Sequence, residues 1–368
     1  MVPGIIRYFC TLAFLQMTFA QIILVWYASN KRNLPWRGTR NPYYIWLSEI
    51  ILQQTRVVQG TPYYLKFIAA FPTVYDLANA SEERVLKLWQ GLGYYSRARN
   101  LHAAAKTVVG TYDGTFPETF EGLLKLKGVG DYTASAIASI CFDLPEPVVD
   151  GNVYRVLARY FGVELPINST EGVKYFKDLA REVMDPDSIR NYNQGIMEFG
   201  AVQCTPKNPN CMYCPLNDSC VALQKGKVQE LPIKINKTKV RRRHFNYLSF
   251  RDADGKTLLK QRTGKGIWQH LWEFPLLESK QAIDEDAVIK KLDDFVDAKK
   301  VREIIRYNER PIIHKLSHQH LYTVFWIVKT DEVLQNSIRL SEVEKYPVPV
   351  LIAEFLQVLL KKPETDHQ

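Results

Sequence analysis

The sequence predicts a mainly α N-terminal region followed by a smaller α+β domain, and three observations carry that reading. From residue 18 to about 225, periodic apolar segments are separated by helix breakers: Asn41-Pro42, Phe71-Pro72, Gly110 to Gly114, Leu144-Pro145 and Asp185-Pro186. From Phe245 the pattern turns strand-like, with Phe245, Tyr247 and Phe250, a turn signal at Asp254-Gly255, and a β-branched and aromatic run from Tyr322 to Val328. Between them, Lys225 to Arg243 carries eight Lys/Arg and one acid, Glu230, around Pro232, which suits an extended basic linker. The 368 residues agree with two or three domains at roughly 150 residues each.

Composition narrows the class. Hydrophobic residues at 46% and charged residues at 24% exclude a disordered or fibrous chain. The net charge of +9 points to a polyanionic partner, with nucleic acid first. Six cysteines are too few for a disulfide scaffold in a chain this long. Cys10 and Cys141 sit among apolar neighbours and are expected to be buried.

The elements follow in order. Tyr8 to Asn30 is uncharged and follows Arg7, so a signal peptide or anchor must be weighed. Against it, Phe19, Ile22, Ile23 and Trp26 have helical spacing, and Gln16, Thr18, Gln21 and Ser29 dilute the run. Met17 is a plausible start, leaving residues 1–16 as a dispensable or artefactual extension. Asn41-Pro42 opens the next helix with an N-cap and a proline at the first position. On it Glu49 stands among Trp46, Ile50 and Ile51, surroundings that disfavour its charge, raise its pKa and make it a candidate general acid. Gly128-Val129-Gly130 joins two helices by a tight turn, and free N–H groups beyond Gly128 and Gly130 can meet a phosphate. Asp150 precedes the amphipathic run Val153, Val156, Leu157, Tyr160, where the helix dipole favours an ionised carboxylate. One acid kept protonated beside one kept ionised is the division of labour of glycosidic bond cleavage.

Cys204-x6-Cys211-x2-Cys214-x5-Cys220 is the strongest single signal. Four thiolates can hold one [4Fe–4S] cluster. A structural zinc, the other reading, more usually shows two short Cys-x2-Cys knuckles.

The stretches Leu34-Pro35-Trp36-Arg37, Trp46 to Thr55, Gly91-Leu92-Gly93-Tyr94-Tyr95-Ser96-Arg97, the Gly128–Gly130 turn, Val149-Asp150-Gly151-Asn152-Val153 and the four cysteines form one set of motifs. Together they resemble the MutY family of adenine DNA glycosylases, in the helix-hairpin-helix, iron–sulfur glycosylase superfamily. The resemblance covers roughly residues 18–360. It implies a helix-hairpin-helix catalytic domain with a cluster loop over residues 17–225 and a basic linker at 226–244. A MutT-like (Nudix-like) domain reading the opposite base would span 245–360, and a tail 361–368. It implies that Glu49 protonates adenine and handles the water, that Asp150 stabilises the sugar cation, and that Tyr132 and Asn152 support them. Gln54 and Tyr94 would fill the stack when the base is flipped, and Trp36 and Arg37 would line its pocket. His314 to Leu321 matches the family's Phe-Ser-His loop, implicated in 8-oxoguanine recognition, through Leu316, Ser317 and His318. Leu316 replaces the usual Phe and removes an aromatic surface.

The implied activity is monofunctional base excision repair, the release of adenine mispaired with 8-oxoguanine or guanine to leave an abasic site. The alternative is a bifunctional endonuclease III-like glycosylase/AP lyase, whose lysine is replaced here by Tyr132, unable to form a Schiff base. A nucleotide hydrolase reading of the second domain lacks its Arg-Glu-x-x-Glu-Glu helix; Asp284 to Asp294 offers only scattered acids. A non-catalytic DNA-binding module would leave Glu49 and Asp150 without a task. Expected further are one [4Fe–4S] cluster, double-stranded DNA as partner, no membrane, a monomer, and a cytoplasmic location, nucleoid-associated in a bacterium.

Overall fold

The computed structural model describes residues 17–235 and 240–361. The extension 1–16 with Cys10, and residues 362–368 of the tail, lie outside the described residues. The chain divides into two units, Met1–Ala78 with Ala103–Asn236, and Asn79–His102 with Lys237–Gln368. No helix among the described residues is long and apolar enough to cross a membrane.

The first unit is helical. Helix α1 (Phe19–Asn30) starts with a capping box in which Thr18 and Gln21 satisfy each other's backbone N–H groups, and it buries Phe19, Ile22, Ile23 and Tyr27. Helices α2 (Pro42–Leu52), α3 (Val57–Ala70) and α4 (Val74–Asn79) follow. After α5 (Glu82–Leu88) in the second unit, α6 (Ser96–Tyr112) leads back to α7 (Phe120–Leu124), α8 (Asp131–Phe142), α9 (Gly151–Phe161), α10 (Thr170–Val183), α11 (Ile189–Val202) and the short α12 (Val221–Gln224). Helix α11 is the hub: it packs on α1, α8 and α9 and buries residues all round, from Ile189 and Tyr192 to Phe199 and Gly200. A Cβ on Gly200 would stand 2.6 Å from Asn152 Cβ, so glycine there lets the start of α9 lie against α11.

The basic stretch expected as a linker is more structured than its composition suggests. Leu231 is buried, Ile233 O accepts from Ile167 N at 3.0 Å, and Asn168 exchanges hydrogen bonds with the backbone of Ile235 at 2.8 and 2.9 Å. Backbone pairing and Leu231 therefore fasten residues 231–235 to the first unit, and strand β1 already begins at Arg241.

The second unit holds strands β1 (Arg241–Arg251), the short β2 (Lys256–Thr257), β3 (Lys260–Gln261) and β4 (Trp272–Glu273), then β5 (Leu276–Ser279), β6 (Val301–Arg306), β7 (Ile312–Lys315) and β8 (Gln319–Thr330); one sheet runs in the order β5-β1-β8-β6, with β7 also on β8. Strands β1 and β8 are parallel and the other pairs antiparallel. Alternation sends Leu248, Phe250, Val324, Trp326 and Val328 into a core shared with Val288, Leu292 and Val296. The opposite face carries Tyr247 and Phe325, and Phe325 stacks on Phe355 of helix α14 (Val350–Lys361) at 4.2 Å; α13 is the short Glu285–Ile289. Segment Asn79–His102, expected with the helical domain, groups with this sheet, its polar ends tied by Lys87 to Tyr346 O, Arg99 to Gln269 O and Gln90 to Val348 N.

Candidate active site

Helix α2 forms as its sequence predicts: Asn41 accepts from Tyr43 N, Pro42 stands at the first position, and Tyr43 to Ile51 contribute an almost fully buried helix. Glu49 is only 8% exposed. Burial pushes its carboxyl up to about 7; the hydrogen bond from Tyr132 opposes this and the Asp150 charge adds to it. Tyr132 Oη donates to Glu49 Oε2 at 2.7 Å and lies 3.2 Å from Met197 Sδ. The helix ends where Gln54 adopts φ 55°, a left-handed backbone costly for a non-glycine residue, and Gln54 is exposed there.

Asp150 is the N-cap of α9, accepting from Asn152 N and Val153 N at 2.8 Å and from Asn152 Nδ2 at 2.8 Å. The sequence reading assigned its ionisation to the helix end alone. In the fold, burial dominates and raises its pKa above the ordinary carboxylate value, against these donors and Arg155, which pull it down. The two acids thus differ in support: three donated hydrogen bonds stabilise the Asp150 carboxylate, and one phenol touches Glu49. From Asn152 a polar chain continues, with Arg155 donating to Asn152 Oδ1 at 2.9 Å, Gly200 O at 2.6 Å and Cys204 O at 2.7 Å.

One cavity of about 480 Å³ brings together Trp36, Arg37, Glu49, Gln54, Tyr132, Asp150 and Asn152, a size suited to a small aromatic ligand and a wall that mixes apolar side chains with many polar and charged ones. It also contains Glu198, which sequence reasoning missed. Glu198 accepts from Arg32 N, Nε and Nη2 at 2.9, 2.7 and 2.7 Å and from Arg37 Nη2 at 2.6 Å. Burial pushes its carboxyl up, but these bonds outweigh it and hold the group at about 2. Glu198 sits in the apolar run Ile196 to Val202, where an acid is out of pattern, and that was the available signal. Its partners lie more than 160 positions away, so the sequence did not connect them.

The four cysteines line a second cavity together with Arg159. Arg159 is buried, donates to Leu231 O, Thr205 O and Pro206 O, and lies 3.4 Å from Cys204 Sγ. Burial raises the pKa of Cys211 and Cys220, and that of Cys214 to about 12. The thiols surround a space rather than a point: among the described residues, no three His, Cys, Asp or Glu gather closely enough to hold a single ion. Cys141 is partly buried and apart from this set.

Elsewhere in the first unit, Gly128 has φ 81°, which requires glycine, and Gly130 caps α8 without a side-chain hydrogen bond, leaving first-turn N–H groups open. The remaining candidates belong to the second unit. Tyr94 is 47% exposed with φ 47°, a second non-glycine residue in the left-handed region. Leu316, Ser317 and His318 form the turn between β7 and β8, with Ser317 Oγ and His318 Nδ1 3.3 Å apart and both side chains exposed. His314 and His320 sit on the flanking strands, and His314 packs on Trp268.

Comparison with known proteins decides the family. Residues 47–181 match the HhH-GPD superfamily base excision DNA repair proteins, and residues 246–358 match a NUDIX domain. The adenine DNA glycosylase of Buchnera aphidicola (subspecies Acyrthosiphon pisum) is 34% identical over 301 residues, covering 82% of this chain and 83% of that one. The chain belongs to the adenine DNA glycosylase family. The adenine DNA glycosylase of Rattus norvegicus is 44% identical over 226 residues, 58% of this chain and 44% of its own. A solved thermostable thymine-DNA glycosylase superposes with a TM-score of 0.53 at 31% identity, covering 56% of this chain and 95% of that one. A non-covalent endonuclease III–DNA complex shares the fold, with a TM-score of 0.50 at 21% identity over 61% and 98% of the two chains. This adenine DNA glycosylase family member is therefore a DNA glycosylase of base excision repair, a helix-hairpin-helix domain joined to a Nudix-like one.

Proposed function

We propose that the enzyme flips adenine out of DNA where it is mispaired with 8-oxoguanine or guanine and hydrolyses its glycosidic bond, acting as a monofunctional glycosylase. The observation that carries this is Glu49, a buried acid at about 7, sharing one cavity with Asp150. Near neutrality Glu49 holds a proton to give. Protonated adenine departs with the electron pair of the sugar–base bond, and Asp150, braced by its three donors, faces the developing sugar cation. Glu49, now ionised, takes a proton from the attacking water, which closes the cycle. Tyr132 holds the Glu49 carboxyl in place, and Asn152 holds that of Asp150. Trp36 and Arg37 line the pocket, with Glu198 fixing the Arg37 head. Gln54 and Tyr94, exposed on strained turns, suit the gap left by the base.

Tyr132 in place of a lysine supports hydrolysis without strand cleavage. The second unit would read the opposite base through Leu316, Ser317 and His318, without hydrolysing nucleotides. The N–H groups beyond Gly128 and Gly130 suit a phosphate. Cys204, Cys211, Cys214 and Cys220 would hold one [4Fe–4S] cluster, and the donor set fits: four thiols face one cavity, with the Arg159 cation at its wall. When bound, the cluster supplies a cross-link that ties the loop to α11 and α12. Duplex DNA as substrate, a monomeric state and a cytoplasmic or nucleoid location complete the reading. Incubation with duplexes bearing adenine opposite 8-oxoguanine, guanine and cytosine, with and without alkali, tests it. Adenine release from the first two, with breakage only after alkali, is expected; breakage without alkali, or borohydride trapping, overturns it in favour of a lyase.

A further inference from the structure

The face of the sheet that carries the core of Leu248, Val324 and Trp326 continues past that core toward the start of β1. The next registered pairs on it are His244 with Tyr322 and Arg242 with His320, and β7 adds Ile313 opposite Tyr322 and Lys315 opposite His320. Among the described residues of the unit this end is left open: Arg242 and Lys315 are exposed, Ile313 is 49% exposed, and His244, His320 and Tyr322 are partly so. The His244 and Tyr322 rings stack at 5.1 Å and 18°, giving an aromatic ledge one row along the strands from the cations.

Charge on the two faces of β1 is handled differently. Arg243, on the opposite face, is clamped by Glu278 through two bonds of 2.6 Å. Arg242 and Lys315 have no ion-pair partner among the described residues. They stand on the strands either side of His320, at about 4.8 Å per strand. Two uncompensated cations beside an aromatic ledge complement a polyanion that also has flat, weakly polar surfaces, which describes a nucleic-acid strand. At its lip stands the turn of Ser317 and His318, where Arg241 N donates to His318 O at 3.1 Å.

We propose that Arg242, His244, Lys315, His320 and Tyr322 bind the sugar–phosphate backbone of the DNA strand beside the nucleotide met by Ser317 and His318. This rests on the glycosylase reading above. Arg242 and Lys315 neutralise phosphates, while the His244–Tyr322 ledge packs against sugar.

The test is fluorescence anisotropy of the full chain on a duplex with adenine opposite 8-oxoguanine, titrated at several salt concentrations. Each lost phosphate contact lowers the slope of log K against log salt by about 0.9, so Arg242→Ala with Lys315→Ala should lower it by about 2. Arg242→Gln with Lys315→Gln, which keeps side-chain length and guards against a folding defect, should do the same. Arg242→Lys with Lys315→Arg should keep the wild-type slope. An unchanged slope in folded Ala or Gln variants overturns the proposal and leaves an acidic protein segment as the occupant to seek. Wild-type enzyme that releases no adenine from this duplex would instead sink the glycosylase reading.

Discussion

Two cavities of the first unit are built from the same ingredients, arginines beside ionisable groups, yet they balance charge in opposite ways. In the carboxylate cavity, Glu198 pairs with both Arg32 and Arg37 from within the chain. In the thiol cavity, Arg159 donates to carbonyls and a sulfur, with no carboxylate among the described residues bonded to it. A buried cation is costly unless it is paired. The first cavity therefore draws its counter-charge from acids of the chain itself. Under the proposed cluster, the four thiolates would bring the counter-charge to Arg159. The contrast is between a cavity whose anions come with the fold and one whose anion would come with a bound group.

The comparison can be broken most severely at the thiols. Cys214→Ser should lose iron and inorganic sulfide and cost more than about 4–5 kcal/mol of stability, as loss of a structural metal group does. The checks are metal analysis and thermal unfolding; a colourless, fully stable wild-type protein would undo the contrast. Next is Glu198→Gln, which leaves two arginines facing a neutral acceptor. Roughly 3 kcal/mol should be lost in a urea titration, toward the low end for a buried pair because Arg32 is 39% exposed.

Glu49→Gln should move stability the other way. The folded pKa of Glu49, about 7, lies above the ordinary 4.5, so its burial is tolerated fully below pH 4.5 and opposes folding as pH rises through 7. The variant should gain on the order of 3 kcal/mol at pH 8 and nothing near pH 4, read from unfolding at both pH values. Its adenine release should fall by about 10²–10⁴, and wild-type release should decline above pH 7. Equal stability at both pH values would show that Glu49 is not buried as a carboxylate. The smallest effect belongs to Tyr132→Phe. Removing the one hydrogen bond that lowers the Glu49 pKa should shift the alkaline limb of the release profile upward, and an unmoved limb would deny the contact.

Legibility followed the range of the interaction. Local signals were readable: Asn41-Pro42 opens α2, Asp150 caps α9, and the change from helical to alternating pattern separates the two folds. Each depends on residues within a turn or two. Glu198 was not readable, because an acid on a helix declares nothing until Arg32 and Arg37 arrive from α1's far end. The stretch 226–244 misled for the same reason: its lysines suggest a free linker, while Leu231, Ile233 and Ile235 find partners in distant Arg159, Ile167 and Asn168. His314 to Leu321 reads as one loop, yet strand register leaves only Leu316, Ser317 and His318 in the turn.

By itself the sequence determined the order of helices and strands, the two-part fold, the four cysteines as one set, and the pairing of Glu49 with Asp150 as candidate acids. Periodicity, capping and motif spacing are properties of neighbouring residues, so they survive without coordinates. Only the tertiary structure decided the charge state each acid favours. That depends on desolvation and on donors brought from far along the chain: Tyr132 to Glu49, Arg32 and Arg37 to Glu198. It also decided which cations stay unpaired, Arg159 within the thiol cavity and Arg242 and Lys315 on the sheet, because counter-charge is a matter of position in space.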